Sequence, residues 1–363
     1  MIAAAGVLYS GVAAQAADLG GDCCADLEER VAELEATTAR KGNTKVSLTV
    51  YGQVSRALVW HDEDASTYEK FSSTDFAYAN SRFGFKGGAK INADLSAGYR
   101  IELSVDGDDQ GSIGIRHNVL YLQSESFGTI KLGRTSSATD GIAEIALAGV
   151  ATMYSCDEAA TTCTTAGLDG GRPNGIHYVS PTFAGFAASA SWFHAGNATN
   201  TPAGSKSNDG FDVALRYANE FGAIRVAAGV GYRVTEDNIG IDDGTATLAG
   251  SASVMHVPTG LFLNVSAGQT NLESVNETTG YGMQAGIETR LSPAGKTTFE
   301  LGYGVTSDDS VTPEPFYATA GVKQSIDAAA MDLFLIYKYQ DLDDATLAQD
   351  DMSSVTFGAI IQF

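Results

Sequence analysis

Tyr99-Arg100-Ile101-Glu102-Leu103-Ser104-Val105-Asp106 is the stretch that decides the fold. Its odd positions are apolar and its even positions are charged or polar. Successive side chains of a strand point to opposite faces, so this octet suits an apolar medium on one side and water on the other. The pattern recurs along the chain. Phe83 and Phe85 oppose Asn80, Arg82 and Lys86. Val213, Leu215 and Tyr217 oppose Asp212 and Arg216, and Ile224, Val226, Val230 and Tyr232 oppose Arg225. At the end, Val355, Phe357, Ala359, Ile361 and Phe363 oppose Ser354, Thr356, Gly358, Ile360 and Gln362. Charges fall opposite the aromatics. A charge on a lipid-facing wall near the midplane would cost roughly 2–4 kcal/mol, so the charged face is expected to line a wet interior.

Working outward from residue 99, sixteen such segments are expected: 46–60, 76–87, 91–105, 113–124, 127–133, 172–181, 184–195, 209–218, 222–233, 247–256, 260–269, 280–291, 296–305, 316–325, 331–340 and 352–363. Their connections alternate. Lys86-Gly87-Gly88-Ala89, Glu125-Ser126-Phe127-Gly128, Pro181-Thr182-Phe183-Ala184-Gly185, Asn219-Glu220-Phe221-Gly222 and Leu291-Ser292-Pro293-Ala294-Gly295 read as tight hairpin turns. Longer polar or acidic connections lie around 61–75, 106–112, 134–171, 197–208, 234–246, 270–279, 306–315 and 341–351. Interleaved short and long connections are what an up-and-down barrel in an outer membrane produces. The predicted fold is therefore all-β, a 16-stranded antiparallel transmembrane β-barrel over 45–363. An even strand number puts both termini on the short-turn, periplasmic side.

Composition agrees. The 363 residues include 41 Gly, 15 Tyr and 16 Phe but only 7 Pro. No uninterrupted apolar run is long enough for a spanning helix, which leaves strands as the route across a membrane. Against 22 basic residues stand 44 acidic ones, a formal net charge of −22. That balance excludes nucleic acid as a partner. It leans the expected ion preference toward cations, although most of the acid falls in the long connections.

Residues 1–16 read as a signal peptide: Ile2 to Val12 is small and apolar, and Ala14-Gln15-Ala16 fits a cleavage site before Ala17. Residues 17–44 then form a periplasmic segment. Within it Asp26 and Glu29 make a capping box, and Leu27, Val31 and Leu34 form an a/d stripe of about two heptads, so a short N-terminal helix is expected. Export makes disulfides admissible. Cys156 and Cys163 would staple a short loop, adding about 2–3 kcal/mol, while Cys23 and Cys24 could pair with each other or across subunits. Neither pair has C-x-x-C spacing and histidine is sparse, so neither a metal nor a cofactor is expected.

Several stretches together resemble the general porins of alphaproteobacteria. They are Asp26-Leu27-Glu28-Glu29-Arg30-Val31 after Cys23-Cys24, the strand Val46 to Trp60, and Ser81-Arg82-Phe83-Gly84-Phe85-Lys86-Gly87. Tyr121-Leu122-Gln123 through Leu132-Gly133-Arg134 and Arg172-Pro173-Asn174-Gly175-Ile176 with Tyr178 continue the series. Terminal Phe363 resembles the signal read by the barrel-insertion machinery. The resemblance implies a homotrimer among outer-membrane lipid and lipopolysaccharide. It also implies a third long loop, here 134–171, folded into the lumen as a constriction. The length of this loop and its apolar patch from Ile142 to Ala151 agree.

The function expected is passive diffusion of small hydrophilic solutes and ions through a water-filled channel. Loop carboxylates Asp140, Glu144, Asp157 and Glu158 would face wall cations Arg82, Arg100, Arg116 and Arg134, with Arg56 and Lys86 as weaker candidates. Opposed charges across an aperture orient dipolar solutes and penalise apolar ones. Arg56 shares parity with Val50 and Val54, so a bulge would be needed to turn it inward. Alternation around Arg116 is blurred. Catalysis is not expected: no G-x-S-x-G occurs, and His61, His117, His177, His194 and His256 are scattered. Two alternatives remain, a tether to peptidoglycan through the amine of Ala17, and a substrate-specific channel, which would need aromatics along the lumen.

Overall fold

The computed structural model describes residues 45–62, 71–76, 79–105, 113–150, 170–194, 209–235, 245–272, 275–308, 316–341 and 351–363. The signal-peptide and helix expectations for 1–44, with Cys23 and Cys24, lie outside these residues. So do Cys156, Asp157, Glu158 and Cys163.

Seventeen strand segments make one sheet. They are β1 (Thr49–Asp62), β2 (Phe71–Thr74), β3 (Arg82–Lys90), β4 (Leu95–Val105), β5 (Ile113–Ser124), β6 (Gly128–Arg134), β7 (Asn174–Val179), β8 (Phe186–His194), β9 (Asp209–Phe221), β10 (Ile224–Thr235), β11 (Thr245–His256), β12 (Leu261–Leu272), β13 (Val275–Ser292), β14 (Gly295–Asp308), β15 (Phe316–Ile326), β16 (Met331–Asp341) and β17 (Met352–Gln362). From β3 onward each pairs antiparallel with the next in sequence, and among the described residues β2 pairs with β1 alone. Both β2 and β3 pair with one edge of β1, and β17 pairs with the other. The sheet thus closes as sixteen wall strands, the second of them in two pieces; only the far edge of β2 is without a strand partner among the described residues. At the seam Gly52 and Phe363 exchange backbone hydrogen bonds of 2.9 and 3.0 Å. Phe363 therefore sits on the rim that carries the tight turns, with its ring exposed.

The alternation behaves as the octet at Tyr99 suggests. Val54, Leu58, Trp60, Ile101, Leu120, Leu215, Tyr232 and Phe357 are exposed on the outer face, while Ser55, Glu102, Asp212, Ser251 and Thr356 are buried on the inner one. The tight turns follow local chemistry. Between β9 and β10, Phe221 pairs with Ile224 across a two-residue connection whose first residue, Gly222, has φ +62°, as a II′ turn requires.

Three expectations are corrected. Lys86-Gly87-Gly88-Ala89 is no turn: it pairs with Ala97 to Arg100 inside β3, and the chain reverses at 91–94. The second strand does not run unbroken over 76–87: it divides into β2 and β3, because Asp75 and Phe76 leave the wall and turn inward. The connection expected at 270–279 is largely strand. Leu272 pairs with Val275, so β12 and β13 continue almost to their tip. Polar residues there suggested a loop, but Val275, Thr278 and Thr279 are β-branched and take strand backbone readily.

Candidate functional site

The inner wall divides into two sectors. The first spans β1 and β3–β6 and centres on Glu102, whose carboxylate is 1% exposed. It accepts hydrogen bonds from the Tyr51 hydroxyl at 2.8 Å, from Arg100, and from Arg116 Nε at 3.1 Å. Arg100 Nε also donates to the Tyr51 hydroxyl at 2.7 Å, and Lys86 lies 4.9 Å over the Tyr51 ring. Arg82 donates to Gln53 Oε1 at 3.2 Å. The charges of Arg82, Arg116 and Arg172 act on one another, so these guanidiniums share one neighbourhood. Lys131 of β6 lies on the same inner parity.

A β-bulge explains why Arg116 defied simple alternation. Glu102 pairs with His117 and Leu103 with Ile115, which leaves Arg116 as the extra residue. Parity slips there, so Arg116 and His117 both reach the inner side beside Glu102. His117 Nδ1 also meets the Thr135 hydroxyl at 3.0 Å, where the chain leaves β6.

The structure places Arg134 differently from the sequence-based expectation. It is exposed and shares parity with Ile130 and Leu132, so it lies on the outer face at the end of β6. Arg56 also points outward, because β1 has no bulge to turn it. Its guanidinium donates to Ser73 O at 3.1 Å. Lys86 keeps the inner parity.

The second sector, β8–β15, is covered by residues 135–150, which run along it from inside. Asp212 of β9 accepts from Ala138 N at 3.0 Å, Thr139 N at 3.1 Å and the Thr139 hydroxyl at 2.6 Å. Arg216, two positions on, donates to Ala138 O at 2.7 Å and Asp140 O at 2.8 Å. Ser251 of β11 donates to Ile142 O and accepts from Ile145 N, and Ser253 accepts from Leu147 N. Asn264 of β12 donates to Ala148 O at 2.9 Å, and Glu300 of β14 accepts from Val150 N at 2.8 Å. Asn264 and Glu300 are bridged by Gln284, so the polar contacts form a ladder across β11–β14.

Apolar contacts fill the gaps between these bonds. Ile142 and Ala143 pack with Ala214 and Ala249, and Leu147 and Ala148 with Met255 and Phe262. Gly229 of β10 lets the loop approach: a Cβ there would stand 2.6 Å from Ile145 Cδ1 and 2.7 Å from Ile142 Cδ1. The apolar patch thus lies against the wall. Of the loop carboxylates, Asp140 comes 3.7 Å from Arg172. Glu144 is exposed on the loop.

Sequence reasoning did not single out Arg172, Tyr51 or Lys131 for this site. Strand parity was available for Tyr51 and Lys131. Arg172 precedes β7, where parity carries no information.

The Gram-negative porin family matches residues 2–359. The major outer membrane protein P.IB of Neisseria sicca is 30% identical over 184 residues, which is 47% of this chain. That match spans half the length of the Neisseria protein. Among solved structures, an anion-selective porin from Comamonas acidovorans superimposes with a TM-score of 0.66 at 17% identity, over 88% of this chain and all of the other. OmpF of Salmonella typhi superimposes with a TM-score of 0.63 at 17% identity, over 89% of this chain and 99% of the other. OmpT of Vibrio cholerae, solved in a trimer form, gives 0.61 at 14% identity over 88% and 99%. The structural likenesses show a shared barrel, the family match covers nearly the whole sequence, and the chain belongs to the Gram-negative porin family.

Proposed function

We propose that the protein is an outer-membrane channel for passive diffusion of small hydrophilic solutes, and that its pore favours anions. The observation that carries the second half is the wall around Glu102. Arg82, Lys86, Arg100, Arg116, Lys131 and Arg172 stand there against Glu102 and Asp140. The Glu102 charge is already engaged by Arg100 and Arg116. In a narrow aqueous passage with low-dielectric walls, an excess of one sign raises the local concentration of the other. The chain's net charge of −22 does not describe this wall. Residues 135–150 lie along the other side of the lumen, and Asp140 there pairs with Arg172 at 3.7 Å.

The test is the reversal potential of the reconstituted protein across a potassium chloride gradient. Large ohmic steps with a chloride-favouring reversal are expected. A potassium-favouring reversal would contradict the anion preference, and a well-inserted barrel without steps would contradict the channel. Screening predicts a preference that weakens as salt shortens the Debye length below about 8 Å.

Arg56 supports a homotrimer. It lies on the outer wall of β1, mid-strand, and an arginine facing lipid there costs roughly 2–4 kcal/mol. A second copy covering this sector would take the exposed Arg56 out of lipid, in line with the trimer form of the Vibrio cholerae neighbour. Arg56→Glu is expected to shift the detergent-solubilised protein from trimer to monomer, and an unchanged trimer would place the interface elsewhere. The sequence motifs around Asp26 and Ser81 favour the alphaproteobacterial branch. The amine of Ala17 remains a candidate peptidoglycan anchor, which muropeptide on the Ala17 peptide would support and a free amine would exclude.

A further inference from the structure

Large apolar side chains occur on the inner parity beneath the loop, at Met255 and Phe262 for example, and a separate apolar patch lies at the β1–β16 side of the wall. Ala57 and Val59 of β1 and Phe334 and Ile336 of β16 point inward and are buried, each at most 3% exposed. Apolar side chains on the inner wall of a wet barrel need a cover. Two segments provide it. Phe76, in the break between β2 and β3, stacks on Phe334 with ring centroids 3.8 Å apart and planes 23° from parallel. Val150, at the far end of the described loop, belongs to the same cluster.

The break is a built feature. The Asp75 carboxylate accepts from Ser81 N at 2.8 Å and from the Ser81 hydroxyl at 2.7 Å, which closes the excursion at its neck. Ser81 Oγ accepts from Ser55 N at 2.9 Å, and Gln53 Nε2 donates to Ala79 O at 2.9 Å and Asn80 O at 3.1 Å. Side chains thus take over the ladder bonds that β1 loses where the strand departs.

We propose that Phe76 is an aperture-setting residue: it fixes the far end of the 135–150 loop through the Val150 cluster, so that the pore is confined to the basic sector. This rests on the channel reading above. The loop is then held at both ends, by Asp212 and Arg216 near its start and by Phe76 and Glu300 near Val150. A chain pinned at two points across a lumen has one position. Without the Phe76 seat the Val150 end keeps only its hydrogen bonds to Glu300 and Asn264, so it moves more and the conducting cross-section varies with it.

The experiment compares the full-length protein with Phe76→Ala and Phe76→Leu. Phe76→Ala is expected to speed amide exchange at Ile145, Leu147 and Val150 at least about tenfold, the change that ~1.4 kcal/mol of lost packing gives. Single-channel records should show a matching rise in open-channel noise. Phe76→Leu, which keeps most of the apolar volume, should restore slow exchange and quiet currents. Unchanged exchange at these amides in a folded Phe76→Ala barrel would overturn the proposal. Because exchange is read without conduction, absence of current in the unsubstituted protein would count against the channel and not against the anchor.

Discussion

The two sectors of the inner wall obey one parity rule and use it for opposite ends. On β3–β6 the inward positions carry long charged side chains that meet water and one another. On β8–β14 they carry Ser191, Asp212, Ala214, Gly229, Ala249, Ser251, Ser253 and Asn264, mostly short, and what they meet is a polypeptide. A short residue lets backbone approach backbone, and a hydroxyl or amide then satisfies the loop's own N–H and C=O groups. A long inward cation of this sector, Arg216, spends its guanidinium on the carbonyls of Ala138 and Asp140 and so docks the loop as well. The difference teaches that polarity alone does not identify a pore lining. What each inward group bonds, loop backbone or water and other charges, separates a surface that docks a segment from one that faces solvent.

The comparison is broken most severely at Asp212, which is fully buried and receives three hydrogen bonds from the loop. Asp212→Ala is expected to destabilise the barrel by about 3 kcal/mol or more, since each bond to a charged acceptor contributes about 1.5–3 kcal/mol. It should also raise exchange at Ala138 and Thr139. Thermal unfolding in detergent would show it, and an unchanged midpoint would mean the loop is held by packing alone.

Arg82→Ser with Lys131→Ser asks the opposite question of the other sector. Folding should change little, while the reversal potential moves toward cations, because these side chains serve the solvent. A large loss of stability with unchanged selectivity would reverse the assignment of the two sectors.

The smallest effect is expected outside the pore, in the turn joining β3 to β4. Hydroxyls of Ser124 and Ser126 hold the exposed Asp94 carboxyl below the ordinary aspartate range. A carboxyl whose folded pKa is depressed stabilises the fold above its unfolded pKa and loses that contribution as pH falls through the folded one. Asp94→Asn should therefore remove a slight stabilisation at neutral pH and make no difference in strong acid, as measured by unfolding at both. An equal effect at both pH values would assign the residue a purely steric part.

Much of this was legible in the sequence, and for physical reasons. Arg100 and Glu102 were placed by alternation because β4 is regular through that stretch. Arg116 blurred the pattern because a bulge changes parity within one residue, and nothing in Gly114-Ile115-Arg116-His117 announces it. At Arg134 the segment expected from the sequence ends at 133, which leaves parity undefined, but β6 runs through this residue and turns it outward with Ile130 and Leu132. Phe76 was hidden for a different reason. Phe76 to Gly87 has the composition of a strand, and only the tertiary demand of Phe334 and Ile336 for a cover draws its first residues inward. Arg172 became a neighbour of Arg82 through chain closure, which local sequence does not encode.

The most direct test is thiol modification of the open channel, with Cys23, Cys24, Cys156 and Cys163 replaced by serine. Cysteine is introduced singly at Arg82, at Arg100 and at Ser253, and a bulky charged thiol reagent is added while current is recorded. If the basic sector is the conducting path, Arg82→Cys and Arg100→Cys channels will lose current on modification, while Ser253→Cys, beneath the loop, will not respond. Modification and block at Ser253→Cys, with no effect at Arg82→Cys or Arg100→Cys, would show that ions pass on the loop's other side and would contradict the division of the wall.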